Sequence, residues 1–275
     1  LLSNHKNYIF IDTVNPPWGR NSVAVMLGEV DERLMAFRLG DGWVRETLEF
    51  SLNTIRSTLN FSSSTSRFSA DLQEAYEIQK SLLPRIEPHF AGYEIAGRME
   101  AAERVGGDLY DFSVLTEGVL SVAVGDASGH GLPAALLARD VVTGLRMGME
   151  KEMKISGVLR KLNSVINRSQ LSTRFISLFY GELEPGGTLV YVNAGHPPPL
   201  LFKKDRVEKL DVGGTILGPL ENTDFNRGFA FIDPGDMLVL FTDGVLEVTN
   251  AAGDIFGEER LKEFMRANMS MPAHE

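Results

Sequence analysis

From residue 84 onward, short runs with apolar residues at every second position alternate with longer stretches where they recur every third or fourth. The first pattern predicts strands over 93–99, 109–115, 119–125, 175–183, 188–193, 200–203, 229–232 and 237–241. The second predicts helices over 133–150, 155–169 and 258–268. Two of the joins between strands, Thr116-Glu117-Gly118 and Pro185-Gly186-Gly187, are short and glycine-containing, which predicts antiparallel hairpins. Strand runs broken by a helical pair predict an α+β domain with helices covering sheet faces, rather than a doubly wound parallel sheet.

Ahead of residue 84 the pattern is different. A strand-like segment at 8–11, apolar runs at 22–28 and 34–39, and a helical stretch over 43–60 precede Asn60-Phe61-Ser62-Ser63-Ser64-Thr65-Ser66, whose composition is that of a linker. A second helix is then expected over 67–83, with Phe68, Leu72, Ala75, Tyr76, Ile78, Leu82 and Leu83 on its apolar stripe. Ser69 can cap it, with Gln73 nearby, and Pro84 stops it. So short a helix needs something to dock against. The expected division is therefore 1–66, a linker helix at 67–83, and a domain over 84–275.

Composition narrows the chemistry. With no cysteine there is neither a disulfide framework nor a thiolate metal site, so a metal would be held by oxygen or imidazole. A net charge of −10 argues against nucleic acid as a partner, because phosphate backbones need a basic face. No apolar run reaches the ~18 residues of a membrane span, and no signal segment opens the chain. A cytoplasmic protein is expected. The chain opens on Leu1, not Met, which reads as a piece of something longer.

Two segments share a design. Ser121-Val122-Ala123-Val124-Gly125-Asp126 and Leu238-Val239-Leu240-Phe241-Thr242-Asp243 are apolar strands that end on an aspartate, each followed by a turn containing glycine. Such an aspartate could merely cap the next turn or helix; a buried strand is also a rigid mount for a metal ligand. A third carboxylate follows two glycines in Val105-Gly106-Gly107-Asp108-Leu109-Tyr110-Asp111, where the glycines permit close backbone approach. Three carboxylates converging in a cleft repel one another unless cations neutralise them. Mg²⁺ or Mn²⁺ suits such oxygen ligands, and a pair of ions ~4 Å apart can activate a water and clamp a phosphoryl group. Asp126 is the best candidate to bridge two ions, with the Ala127 backbone carbonyl as a further ligand.

VGGDLYD (105–111), GDASGHG (125–131), FISLFYGEL (175–183), NAGHPPPLL (193–201) and TDGVLE (242–247), in this order and spacing, closely resemble the bacterial SpoIIE/RsbU-like branch of the PPM-type serine/threonine phosphatases. The resemblance covers about 72–268. It implies two packed antiparallel β-sheets flanked by helices, two Mn²⁺ or Mg²⁺ ions, and hydrolysis of phosphoserine or phosphothreonine by metal-activated water. It also implies that Asp108, Asp126, Asp243 and the Ala127 carbonyl are metal ligands, and that the substrate is a phosphoprotein such as an anti-sigma-factor antagonist. His130 is a candidate proton donor to the leaving oxygen, although its Gly-His-Gly setting equally suits a turn. Arg104 could contact phosphate or form a surface ion pair, and Asp111 could orient metal-bound water. Asn193 and His196 are expected to shape the rim of the cleft.

Members of this family usually end in a strand whose aspartate completes one metal site, whereas no aspartate follows Asp254 here. The domain is therefore expected to lack its last strand. A phosphatase fold that binds partners without turnover is one alternative. A diguanylate cyclase is another, since Arg104-Val105-Gly106-Gly107-Asp108 superficially resembles the cyclase signature loop, although Leu109-Tyr110 replaces its Glu-Phe. Residues 1–66 weakly resemble the closing part of a sensory domain of GAF type. Two readings of the helix at 67–83 stay open: it couples that sensor to the phosphatase by pairing with its copy in a homodimer, or it simply covers the catalytic core.

Overall fold

The computed structural model describes residues 8–11, 22–27, 33–84, 86, 88–100, 105–115, 118–149, 154–169 and 175–274. The chain divides into two compact units, Leu1–Gln73 and Glu74–Glu275. In the first, β1 (Tyr8–Ile11), β2 (Ser22–Leu27) and β3 (Arg33–Arg38) form an antiparallel sheet, in register at Tyr8↔Val25 and Ser22↔Arg38. Val23, Ala24 and Val25 are buried.

A single helix, α1 (Arg45–Leu82), begins in the first unit and ends in the second. This corrects the expected linker at 60–66, which is helical throughout. Serine and threonine cost a helix interior only about 0.5 kcal/mol each relative to alanine, and no Gly or Pro interrupts residues 45–83. Earlier in the same helix, Ser51 and Thr54 donate to the carbonyls of Thr47 and Phe50, four residues back, without breaking it. Pro84 ends the helix as expected.

The second unit continues with β4 (Asp108–Val114), β5 (Leu120–Ala127), α2 (Leu132–Met149), α3 (Ile155–Arg168), β6 (Ile176–Leu183), β7 (Thr188–Ala194), β8 (Leu200–Phe202) and β9 (Val207–Lys209). It closes with β10 (Gly213–Gly214), β11 (Gly228–Phe231), β12 (Met237–Val239), α4 (Asp243–Leu246) and α5 (Gly257–Ala267). One sheet runs β10-β7-β6-β5-β4, with β11 also on β7, and the other runs β12-β8-β9. All pairings are antiparallel except the two-residue β10 on β7.

Alternation along the strands sorts the side chains into layers. Leu109, Ala123, Leu178, Tyr180 and Val192 face Leu137, Val141, Leu145, Leu159 and Leu162 of α2 and α3. The opposite face carries Leu120, Val122, Phe179, Leu189 and Tyr191, which pack against Leu201, Leu238 and Leu240 of the second sheet. Beyond that sheet, Leu200 and Phe202 meet Leu261 and Met265 of α5. Helices, sheet, sheet and helix stack in that order, the α+β sandwich that the resemblance implied.

The strand expected at 93–99 is absent, and the segment forms only an isolated bridge, Phe90↔Tyr93. Its alternating pattern is real, because Tyr93 and Ile95 pack on the core between the sheets. Alternate burial, however, does not require a hydrogen-bonded neighbour.

Candidate metal centre

The site grows out of strand register. Asp108, the first residue of β4, lies directly across from Asp126 on β5, and Asp126 lies across from Ser177 on β6. Residues paired in register share a face, so the two carboxylates and the Ser177 hydroxyl form one row on the face toward the second sheet. Asp243 arrives from that other sheet: the chain leaves β12, passes Phe241 and Thr242, and opens α4 with this aspartate exposed. The Thr242 side chain stands near enough to Asp108 to lower its pKa, so the two approaches meet.

The electrostatics record how close the three acids are. Burial pushes the Asp126 carboxyl up to about 6, and the charges of Asp108 and Asp243 add to the rise. Asp108 is also raised, mainly by burial and further by Asp243, while Thr242 pulls it back down. Asp108 and Asp126 resist ionising at this half-buried corner, and a cation would remove that resistance.

Gly107 explains how tightly the corner is built. A Cβ at this position would lie 2.3 Å from the Ala127 carbonyl oxygen and 2.9 Å from Asp126 Oδ1, so only glycine fits. The Ala127 N–H in turn donates to the Gly107 carbonyl at 3.1 Å. The Gly106–Gly107 loop is also held from α1: Gln79 Nε2 donates to the Gly106 carbonyl at 2.6 Å, and its Oε1 accepts from the Gly106 N–H at 3.2 Å. Among the described residues, no three His, Cys, Asp or Glu side chains gather closely enough to hold one ion by themselves. Carboxylates spaced this way suit hard cations that keep much of their water shell and share ligands, as Mg²⁺ and Mn²⁺ do.

Not every residue singled out from the sequence joins this cluster. Asp108, Asp126, Asp243 and Ala127 come together, whereas His130 is exposed on the turn between β5 and α2. Asp111 lies on the other face of β4, toward α2, where Arg146 grips it through Nε at 3.0 Å and Nη2 at 2.8 Å. Arg146 Nη2 also donates to the Leu82 carbonyl at the end of α1. This position is away from the aspartate row and does not fit the water-orienting role expected for Asp111. Asn193 and His196 are 3% and 4% exposed, buried behind the row rather than placed on a rim. Arg104 lies outside the described residues.

Ser177 and Thr242 lie inside the segments 175–183 and 242–247 but are not singled out there, and Arg146 carries no signal of its own in the sequence. Ser177 matters through register, and Gln79 is a polar residue interrupting an apolar stripe beside Ile78, the one clue that was available.

The family model described as Stage II sporulation protein E (SpoIIE) matches residues 116–275, which include Asp126 and Asp243. Protein IcfG of Synechocystis sp. is 28% identical over 229 residues, 73% of this chain and 36% of that protein. Phosphoserine phosphatase RsbU of Bacillus subtilis is 27% identical over 209 residues, 75% of this chain and 62% of that protein. The chain thus spans less than two thirds of either relative. Among solved structures, the SiaA-PP2C domain of Pseudomonas aeruginosa superposes with a TM-score of 0.65 at 20% identity, covering 77% of this chain and 86% of that one. That likeness is one of fold. Among the described residues, no helix is long and apolar enough to cross a membrane.

Proposed function

The chain belongs to the SpoIIE family, and from that footing we propose that it is a metal-dependent protein phosphatase acting on phosphoserine or phosphothreonine in a signalling protein. The observation that carries the reading is the placement of Asp108 and Asp126 in register on neighbouring strands with Asp243 close enough to raise their pKa values. Asp108, Asp126, Asp243 and the Ala127 carbonyl would hold two Mn²⁺ or Mg²⁺ ions. When bound, the ions supply positive charge that activates a water and offsets charge on the phosphoryl oxygens.

The chain's own residues set the geometry. Thr242 favours the ionised form of Asp108, and Gly107 keeps the Ala127 carbonyl uncovered. Hydrolysis joins a water oxygen to phosphorus and breaks the seryl O–P bond, and the departing oxygen takes a proton. His130, on the turn after Asp126 and Ala127, is the side chain assigned to supply that proton. The serine-directed reading is supported by the relatives named phosphoserine phosphatases, RsbU and RsbP of Bacillus subtilis. The substrate inferred from family resemblance is an anti-sigma-factor antagonist in its phosphorylated form. The coupling role assigned to the end of α1 is supported by the paired hydrogen bonds of Gln79 to Gly106.

The test is Mn²⁺-dependent hydrolysis of p-nitrophenyl phosphate and of a phosphoserine peptide, which Asp126→Asn should abolish. Turnover that survives this substitution would refute the metal-dependent reading. A wild-type chain that binds Mn²⁺ yet never turns over would favour a binding module on the same fold.

A further inference from the structure

The row of aspartates is built from two sheets, and one buried side chain spans the join. His196 follows β7 in the loop Asn193-Ala194-Gly195-His196 and is 4% exposed. Its Nε2 lies 3.1 Å from the Phe241 carbonyl oxygen, and its Nδ1 lies 2.9 Å from Ser177 Oγ. A carbonyl can only accept, so Nε2 carries the proton and donates to Phe241. Nδ1 is then the bare nitrogen and accepts from the Ser177 hydroxyl. The imidazole is neutral, with both nitrogens satisfied.

Its two partners stand next to the site from opposite sides. Ser177 is paired in register with Asp126 in the first sheet. Phe241 immediately precedes Thr242, which stands near Asp108, and Asp243 follows. The backbone that presents the ring is itself fixed. Asn193 Oδ1 accepts from the His196 N–H at 2.8 Å, while Asn193 Nδ2 donates to the His196 and Leu210 carbonyls at 3.0 and 3.1 Å. Gly195, between them, sits at φ 68°, a left-handed conformation that favours glycine. An imidazole held so firmly at its own backbone transmits position rather than adapting to it.

We propose that His196 is a positioning residue for the aspartate cluster: its Nε2–H anchors the Phe241 carbonyl and so sets where Asp243 stands relative to Asp126. The inference rests on reading Asp108, Asp126 and Asp243 as the cation site. It gives a role to a histidine whose burial removes it from any contact with substrate.

The two contacts can be separated by substitution. Glutamine places its amide nitrogen near the position of Nε2, keeping the donor to Phe241. Asparagine reaches only as far as Nδ1, keeping a partner for Ser177 but losing Phe241. Mn²⁺ binding to the full chain is read by the electron paramagnetic resonance signal of free Mn²⁺ and by calorimetry, and thermal unfolding is measured without metal. Supporting residues of this kind change metal affinity by about 10- to 100-fold. The expected result is that His196→Asn weakens Mn²⁺ at least about 10-fold while His196→Gln stays within about 3-fold of wild type, both on folded protein. Unchanged affinity in His196→Asn would overturn the inference, as would equal losses in the two variants. If His196→Asn does not fold, His196→Gln alone decides, since loss of Mn²⁺ affinity there contradicts the anchoring role. A wild-type chain with no Mn²⁺ affinity would instead remove the cation site and this inference with it.

Discussion

Asp126→Asn should make the metal-free protein more stable while destroying its metal site. In the folded chain the Asp126 carboxyl stands at about 6 against an ordinary 3.8. The rise of about two pKa units corresponds to roughly 3 kcal/mol at about 1.4 kcal/mol per unit. Asp126 is only half buried, so solvent screening reduces the realistic penalty to about 1 kcal/mol. Below pH 3.8 both folded and unfolded chains keep the proton, and the penalty is nil. As pH rises from 3.8 to about 6 the unfolded chain ionises first, and stability falls. Above about 6 the full penalty applies. Asparagine cannot ionise, so in EDTA at pH 7.5 the variant should melt about 2–4 °C above wild type, the shift about 1 kcal/mol produces in a domain of this size. At pH 3.5 the difference should vanish. Millimolar Mn²⁺ should reverse the order at pH 7.5 by stabilising wild type alone. Differential scanning calorimetry across this pH range decides it. A variant less stable than wild type at pH 7.5 in EDTA would show that the three carboxylates do not strain one another, and the electrostatic case for a cation site would fail.

Gly107→Ala should lower Mn²⁺ affinity and kcat/KM about 10-fold or more, because its methyl group would displace the Ala127 carbonyl and Asp126; metal titration of activity checks it. Arg146→Ala strands the buried Asp111 carboxylate and should cost about 2–3 kcal/mol in urea unfolding, at the low end for a broken pair because Arg146 itself is partly exposed. Arg146→Lys should recover less than half of that, lacking the planar fork. Asn163→Ala removes a fully buried amide that joins α3 to the carbonyls of Leu220 and Glu221 and to the Gly218 N–H. It should cost about 3 kcal/mol while leaving Mn²⁺ affinity unchanged at 10 °C, read by chemical denaturation and metal titration.

The sandwich was legible because both of its periods are written plainly in residues 84–275. Alternation named the strands of the six-stranded sheet except the two-residue β10, and helical spacing named α2, α3 and α5, each within a few residues. The aspartates were legible because apolar strands delivered them. What stayed hidden depends on pairing between distant segments. That Asp108 faces Asp126, that Ser177 completes their row, and that Asp111 turns toward Arg146 instead are consequences of register. Register is settled by packing across the sheet, and no single segment encodes it. The continuity of α1 was hidden for a different reason. A run of serines looks like a linker by composition, yet the small helical cost of each is outweighed when neither glycine nor proline interrupts the stretch.

Asp108 and Asp126 belong to one sheet and Asp243 follows the last strand of the other, so ions in this centre would act as rivets through the sandwich. Opening the layers by a small amount would pull the ligands apart before any strand frayed, and release of metal would become the first event of unfolding. Each hundredfold excess of metal over its dissociation constant would hold the layers shut by about 2.7 kcal/mol. The supply of divalent cation would then govern the lifetime of the folded chain against proteases as well as its turnover.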